Sequence, residues 1–170
     1  MNYYYSANRS WSDQFLPDIK RIVGRHLLEV SPDPLDWHQA TDLMMLDARD
    51  MRIAARVRRP GYAQAYPHQF TIRSKLPSGA QTELAKIVSG KGDWLFYGHA
   101  DASQTAIESW QLIDLRAFRA GLIRKGAQGL RWGNKRNVDG TTFTWFDARS
   151  FPSDPPLVVA RSRRDGSTSY

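Results

Sequence analysis

Residues 40–75 read ATDLMMLDARDMRIAARVRRPGYAQAYPHQFTIRSK, and the spacing of apolar residues in this stretch decides the fold. It predicts three strands. Asp42 opens the first, residues 41–46, whose side chains are mostly apolar. Asp47-Ala-Arg-Asp50 has the chemistry of a turn. The second strand, residues 51–59, alternates strictly: Met51, Ile53, Ala55 and Val57 point one way, Arg52, Ala54, Arg56 and Arg58 the other. Pro60-Gly61 ends it. The third, residues 69–75, puts Phe70, Ile72 and Ser74 on one face and Thr71, Arg73 and Lys75 on the opposite one. Antiparallel pairing of the last two strands would lay one sheet face on a core. The other face would carry Arg52, Arg56, Arg58, Arg73 and Lys75. Like charges facing each other across strands destabilise a sheet, so such a face reads as built to meet an anion.

Composition widens the frame. A chain of 170 residues with 41% hydrophobic and 12% aromatic content is expected to fold as one domain with its own core, over residues 1–160. Residues 161–170 are polar and are expected to form a disordered tail. The start, Met1-Asn-Tyr-Tyr-Tyr, lacks the basic residues and apolar run of a secretory leader, and no apolar stretch approaches membrane-spanning length. A soluble, cytoplasmic protein is the expectation. With no cysteine, disulfides, zinc–thiolate sites and thiol catalysis are excluded. The formal charge is +7, and between Arg49 and Lys75 stand seven basic residues against one acid, Asp50. Nearly the whole excess therefore falls on the predicted strands. Clustered positive charge points to nucleic acid or another polyanion; the plainer alternative is a solvated face that aids solubility.

Outward from this stretch, Ser12 is placed to cap a helix over residues 12–23, with Phe15, Leu16, Ile19, Ile22 and Val23 at helical spacing and Asp18 on its polar side. Residues 26–30 form a short strand. Residues 60–68 form a loop with two tyrosines. A helix over 82–88 follows, then strands at 93–99 and 109–115 and an amphipathic helix over 115–124 whose core side is Leu115, Phe118, Leu122 and Ile123. Residues 126–137 are irregular and rich in Gly, Arg and Lys. Asp139-Gly140 marks a hairpin turn before a strand over 141–146, and 157–160 is a last short strand. This order gives an α/β protein with a mixed central sheet flanked by helices.

The order from Ser12 to Arg124 resembles the core of the PD-(D/E)XK nuclease superfamily, a restriction-endonuclease-like sandwich. Those nucleases place an Asp at the start of one strand, a Glu/Asp-x-Lys pair on the next, and often an acid on the first helix. The resemblance implies Asp42 as a catalytic residue and metal ligand, Asp18 as a second ligand, Lys75 as the catalytic lysine, and Mg2+ or Mn2+ as the cation that activates water beside the scissile phosphate. Asp50 or Glu83 would be substitute ligands. The stretch Phe70-Thr-Ile-Arg-Ser-Lys75 offers Thr71-Ile72-Arg73 or Arg73-Ser74-Lys75 where the pair should be, and neither supplies the carboxylate. The chain is thus expected either to carry a variant nuclease site or to bind without cleaving.

Under both readings Arg52, Arg56, Arg58, Arg73, Lys75, Lys135 and Arg136 are the candidate nucleic-acid contacts, with DNA expected ahead of RNA. An interaction protein of phage or mobile-element type, its basic face docked on an acidic partner, is the alternative. Other chemistries lack their motifs: no Walker A, no Gly-x-Gly-x-x-Gly, no Gly-x-Ser-x-Gly, and no metal-binding spacing among His26, His38, His68 and His99. Asp139 reads as a turn residue or a ligand. Trp37, Tyr62, Tyr66 and Trp132 are candidates for stacking on bases.

Overall fold

The computed structural model describes residues 10–30, 43–45 and 51–162, and divides the chain into two compact units, Met1–Met51 and Arg52–Tyr170. In the first, residues 10–13 are helical, a turn follows, and helix α1 runs Leu16–Gly24. The break, at residues 14–15, comes just before Pro17, whose nitrogen has no hydrogen to donate to the preceding turn but is tolerated at a helix start. Ser12 therefore does not cap α1; Phe15 occupies that position without a side-chain hydrogen bond. Phe15, Ile19 and Val23, spaced by four, are buried, and the Trp11 ring meets Phe15 edge-on at 5.2 Å. Strands β1 (Leu28–Val30) and β2 (Leu43–Met45) pair antiparallel. Asp42, Arg49, Asp50, Trp37, His38 and the tail beyond residue 162 lie outside the described residues.

The second unit contains two sheets. Strands β3 (Ile53–Arg58), β5 (Trp94–Ala100), β6 (Ile107–Asp114) and β9 (Val158–Arg161) form a mixed sheet in the order β3-β5-β6-β9. Strands β4 (Gln69–Lys75), β8 (Thr142–Asp147) and β7 (Trp132–Arg136) form an antiparallel sheet in the order β4-β8-β7. The expected pairing of β3 with β4 is not found. A connection holding Pro60, Gly61 at φ 87° and the short helix α2 (Tyr62–Ala65) is too long and irregular for a tight hairpin. β3 instead runs parallel to β5, with β4 and helix α3 (Glu83–Val88) in the crossover. β4 delivers Phe70 and Ile72 opposite Phe146 and Thr144 of β8.

Helix α4 (Leu115–Gly129) is set by Asp114, whose carboxylate accepts from the backbone N–H groups of Arg116 at 2.6 Å and Ala117 at 2.9 Å. It breaks at Gly126. Four phenylalanine rings, Phe70, Phe118, Phe146 and Phe151, touch one another with centroids 5.1–6.2 Å apart. Gly121 lets α4 approach them: a Cβ there would stand 2.5 Å from Phe151 Cδ1. Ile123, expected on the core side, is 84% exposed. It stands about 100° around the helix from Leu122, off the stripe formed by Leu115, Phe118 and Leu122. Among the described residues no helix is long and apolar enough to cross a membrane.

Candidate anion-binding cluster between two sheets

The face of β3 that carries Ala54, Arg56 and Arg58 is in register with Leu95, Tyr97 and His99 of β5, and these in turn with Ile113, Gln111 and Ser109 of β6. One sheet face therefore grades from apolar at one end to polar and cationic at the other. That face looks at the β4-β8-β7 sheet. Thr71 Oγ1 and the Tyr97 hydroxyl are 3.2 Å apart, and Gln111 Nε2 donates to the Gln69 carbonyl at 3.5 Å. On the second sheet Arg73 and Lys135 both lie directly opposite Phe143, one from each flanking strand. The alternation read in the sequence is correct, and Val57 of the apolar face is buried as expected, but Arg56 of the arginine face is turned inward as well.

Phe143 is the hub. The guanidinium carbons of Arg56, Arg58 and Arg73 lie 4.8, 5.8 and 5.6 Å from its ring centroid. Arg58 also sits over the Tyr62 ring at 4.5 Å, and Tyr62 pairs with Tyr66 at 6.2 Å. Cation–π attraction stabilises such contacts, but one ring cannot cancel the mutual repulsion of three cations.

The carboxylate at the cluster is Glu83, in the first turn of α3. Its Oε2 accepts from Arg56 Nη2 at 2.5 Å and from the Arg73 backbone N–H at 3.3 Å. The Arg56 side chain is 14% exposed and that of Glu83 26%. Burial pushes the Arg56 guanidinium below its ordinary value, Glu83 opposes that push, and the charge of Arg73 adds to it. Nε of Arg58 and Nε of Arg73 are buried with no hydrogen-bond partner among the described residues. A buried donor left unpaired costs the desolvation of that group, and here the donors are cationic.

His99 closes the polar end, 7% exposed, with Nδ1 3.1 Å from Ser109 Oγ. Burial first and Arg58 second bring its pKa down to about 4, so it is neutral at physiological pH. Asp139 senses the charge of Arg73, but its Oδ1 accepts from Thr141 N at 3.0 Å and Thr141 Oγ1 at 2.6 Å, which is the turn role.

The structure thus brings together Arg56, Arg58, Arg73 and Lys135. Lys75 and Arg136 are both exposed and flank Thr142 at the same end of the sheet, on the face away from Phe143. Arg52 lies apart, at the other end of β3. Its backbone N–H donates to Asp93 Oδ2 at 2.9 Å, and its Nε is 3.5 Å from the same oxygen. Asp18 is ion-paired with Arg21 at 3.2 Å on α1. Among the described residues no three His, Asp or Glu side chains gather as a metal site. The next strand after β2 is β3, whose Ile53-Ala-Ala-Arg-Val-Arg58 holds no Glu/Asp-x-Lys pair either.

Phe143, Tyr97 and His99 are not legible as site residues in the sequence. The one signal there is period two in residues 141–146, which puts Phe143 on the face away from Thr144 and Phe146. Trp132 lies in β7 and is 41% exposed. It borders a largely apolar groove of about 470 Å³, on the sheet face away from Phe143, that Lys75, Leu84, Val88, Leu122 and Leu130 also line. No protein-family model matches the chain, and neither curated proteins nor solved structures include a match.

Proposed function

We propose that the chain binds nucleic acid by gripping phosphate with Arg56, Arg58 and Arg73, and that Lys135, Lys75 and Arg136 extend the contact along the exposed end of the β4-β8-β7 sheet. The observation that carries this reading is the excess of buried cation. Three guanidinium groups lie about one ring, and among the described residues a single carboxylate is in contact with them and two Nε donors have no partner. A folded protein retains so costly an arrangement when a ligand offsets it. Arginine suits phosphate because its planar fork matches two oxygens at once.

The restriction-endonuclease-like sandwich belongs to the same proposal. An N-terminal helix, an antiparallel strand pair, and a parallel pair with a helix in its crossover follow the order of that layout. The absence of a Glu/Asp-x-Lys pair on β3 and on β4 favours binding over cleavage. Such a protein works in the cytoplasm, with DNA as the first ligand to test.

The test is fluorescence anisotropy of labelled duplex DNA, single-stranded DNA and RNA across a salt series, for the parent and for an Arg58→Gln, Arg73→Gln double variant whose fold is checked by circular dichroism. The log–log salt slope of the parent should be steep, and the variant should flatten it by roughly one unit for each phosphate it no longer neutralises. Equal slopes for parent and variant would remove the cluster from the interface. Tighter binding to an acidic protein than to any nucleic acid would replace the reading with a protein-docking one.

A further inference from the structure

Depth distinguishes this cluster from an ordinary basic groove. Lys75, Lys135 and Arg136 are exposed, whereas the Arg56 side chain is 14% exposed and lies between two sheets. A continuous sugar–phosphate backbone follows a surface and cannot thread between packed sheets. A chain end can. The three guanidinium groups also converge on one point, the Phe143 ring, instead of lining up along a path.

Charge narrows the ligand further. Three buried or half-buried cations against Glu83 leave an excess of two, with Asp139 exposed and engaged by Thr141. An internal phosphodiester carries one negative charge. A terminal phosphomonoester carries roughly 1.5 to 2 near neutral pH and offers three oxygens. Those oxygens match two buried donors at the cluster that have no hydrogen-bond partner among the described residues, Nε of Arg58 and Nε of Arg73. Beside Arg58 stands the Tyr62–Tyr66 pair, with Tyr66 46% exposed, an aromatic surface of the kind on which a base stacks.

Resting on the nucleic-acid reading above, we infer that the space between Arg56, Arg58 and Arg73 is a socket for the terminal phosphomonoester of a nucleic-acid strand. The strand's first base lies on Tyr66 and its following phosphate on Lys135, which shares the face of Phe143. Binding forms no covalent bond; the phosphate takes up the donors of Arg58 and Arg73 and leaves the Arg56–Glu83 pair in place.

The experiment uses the full chain and one single-stranded DNA sequence in three forms, with a 5′-phosphate, with a 3′-phosphate, and with hydroxyls at both ends. Inorganic phosphate and pyrophosphate serve as competitors. One phosphorylated form should bind about tenfold or more tightly than the hydroxyl form, as expected for added charge-assisted hydrogen bonds. Arg58→Lys keeps the charge and the fold but lacks Nε, so it should erase most of that preference. A Lys135→Gln, Arg136→Gln double variant should weaken all three forms alike and keep the preference. Equal binding of the three forms with a steep salt slope would overturn the socket while leaving the nucleic-acid reading intact. No binding of any form would overturn both. Inorganic phosphate competing as well as the phosphorylated strand would overturn the strand-end assignment in favour of a site for the small anion.

Discussion

Replacing Glu83 by Gln isolates the charge balance of the cluster. Glu83 Oε2 lies 2.5 Å from Arg56 Nη2 and 3.3 Å from the Arg73 nitrogen, with both side chains of the ion pair mostly buried. Gln keeps the volume and an acceptor oxygen, so packing survives and only the negative charge is removed. Breaking a fully buried pair costs about 3–5 kcal/mol because the remaining charge stands uncompensated. Partial exposure of Glu83 reduces this, and removing a carboxylate from a helix N-terminus adds about 0.3–1 kcal/mol. A net destabilisation of roughly 2–4 kcal/mol is expected, a large part of the stability of a small domain. Urea denaturation at low salt measures it. The second half of the prediction is ligand rescue. Any anion that binds the native cluster stabilises it by mass action, about 2.7 kcal/mol at a hundred times its dissociation constant. Without Glu83 the cluster is more cationic and should attract anions more strongly, so added oligonucleotide should raise the midpoint of Glu83→Gln more than that of the parent. A variant within about 0.5 kcal/mol of the parent, the scatter of ordinary surface substitutions, would refute the premise that the cluster is charge-stressed.

Acid should weaken the fold through His99. Its pKa is about 4 in the folded chain against an ordinary value of 6.5, so the native state holds it neutral while the unfolded chain protonates it first. Stability attributable to this group is therefore complete above pH 6.5, falls as the pH drops from 6.5 toward 4, and levels off below, for a total of about 3 kcal/mol; His99→Gln should remove that slope from the urea midpoints. For catalysis, the parent should show no manganese-stimulated nicking of plasmid, single-stranded DNA or RNA, and Asp42→Asn should bind as well as the parent. Metal-dependent cleavage that disappears in Asp42→Asn would instead establish a nuclease and make Asp42 its central ligand.

Much of the secondary structure is legible because single residues carry it. Thr82 caps α3 by accepting from Ala85 N, as a threonine before Glu-Leu-Ala should. Asp139-Gly140 makes its turn with Gly140 at φ 80°. The dense apolar run of β5 is buried along nearly all its length, with Phe96 stacked on Trp110 of β6 at 6.0 Å. β7 escapes a sequence reading because Trp-Gly-Asn-Lys-Arg has no apolar alternation; it is an edge strand, and edges carry charge and Gly without penalty. The split of β3 and β4 into separate sheets is not legible either, because pairing depends on partners 41 and 76 residues away in sequence, Trp94 for Ile53 and Phe146 for Phe70.

The cluster shows why period two is an incomplete signal. Alternation sorts side chains onto two faces but does not say which face meets solvent. For β3 the hydrophobicity of Met51, Ile53, Ala55 and Val57 suggests that the arginine face lies outside. Both alternating sets reach the interior: the arginine face holds the 14%-exposed Arg56 and meets Phe143, while the apolar face buries Val57 and leaves Ala55 exposed. Local sequence cannot foresee this, since what buries Arg56 is a phenylalanine on β8 and a glutamate on α3. The same geometry separates the candidate contacts by role. Exposed Lys135 and Arg136 add long-range attraction that salt screens within about 8–10 Å. Arg56, Arg58 and Arg73, held in low dielectric, interact more strongly with whatever anion reaches them and are screened less. Salt should therefore strip the outer contacts first, and the affinity that remains at high salt reports the inner three.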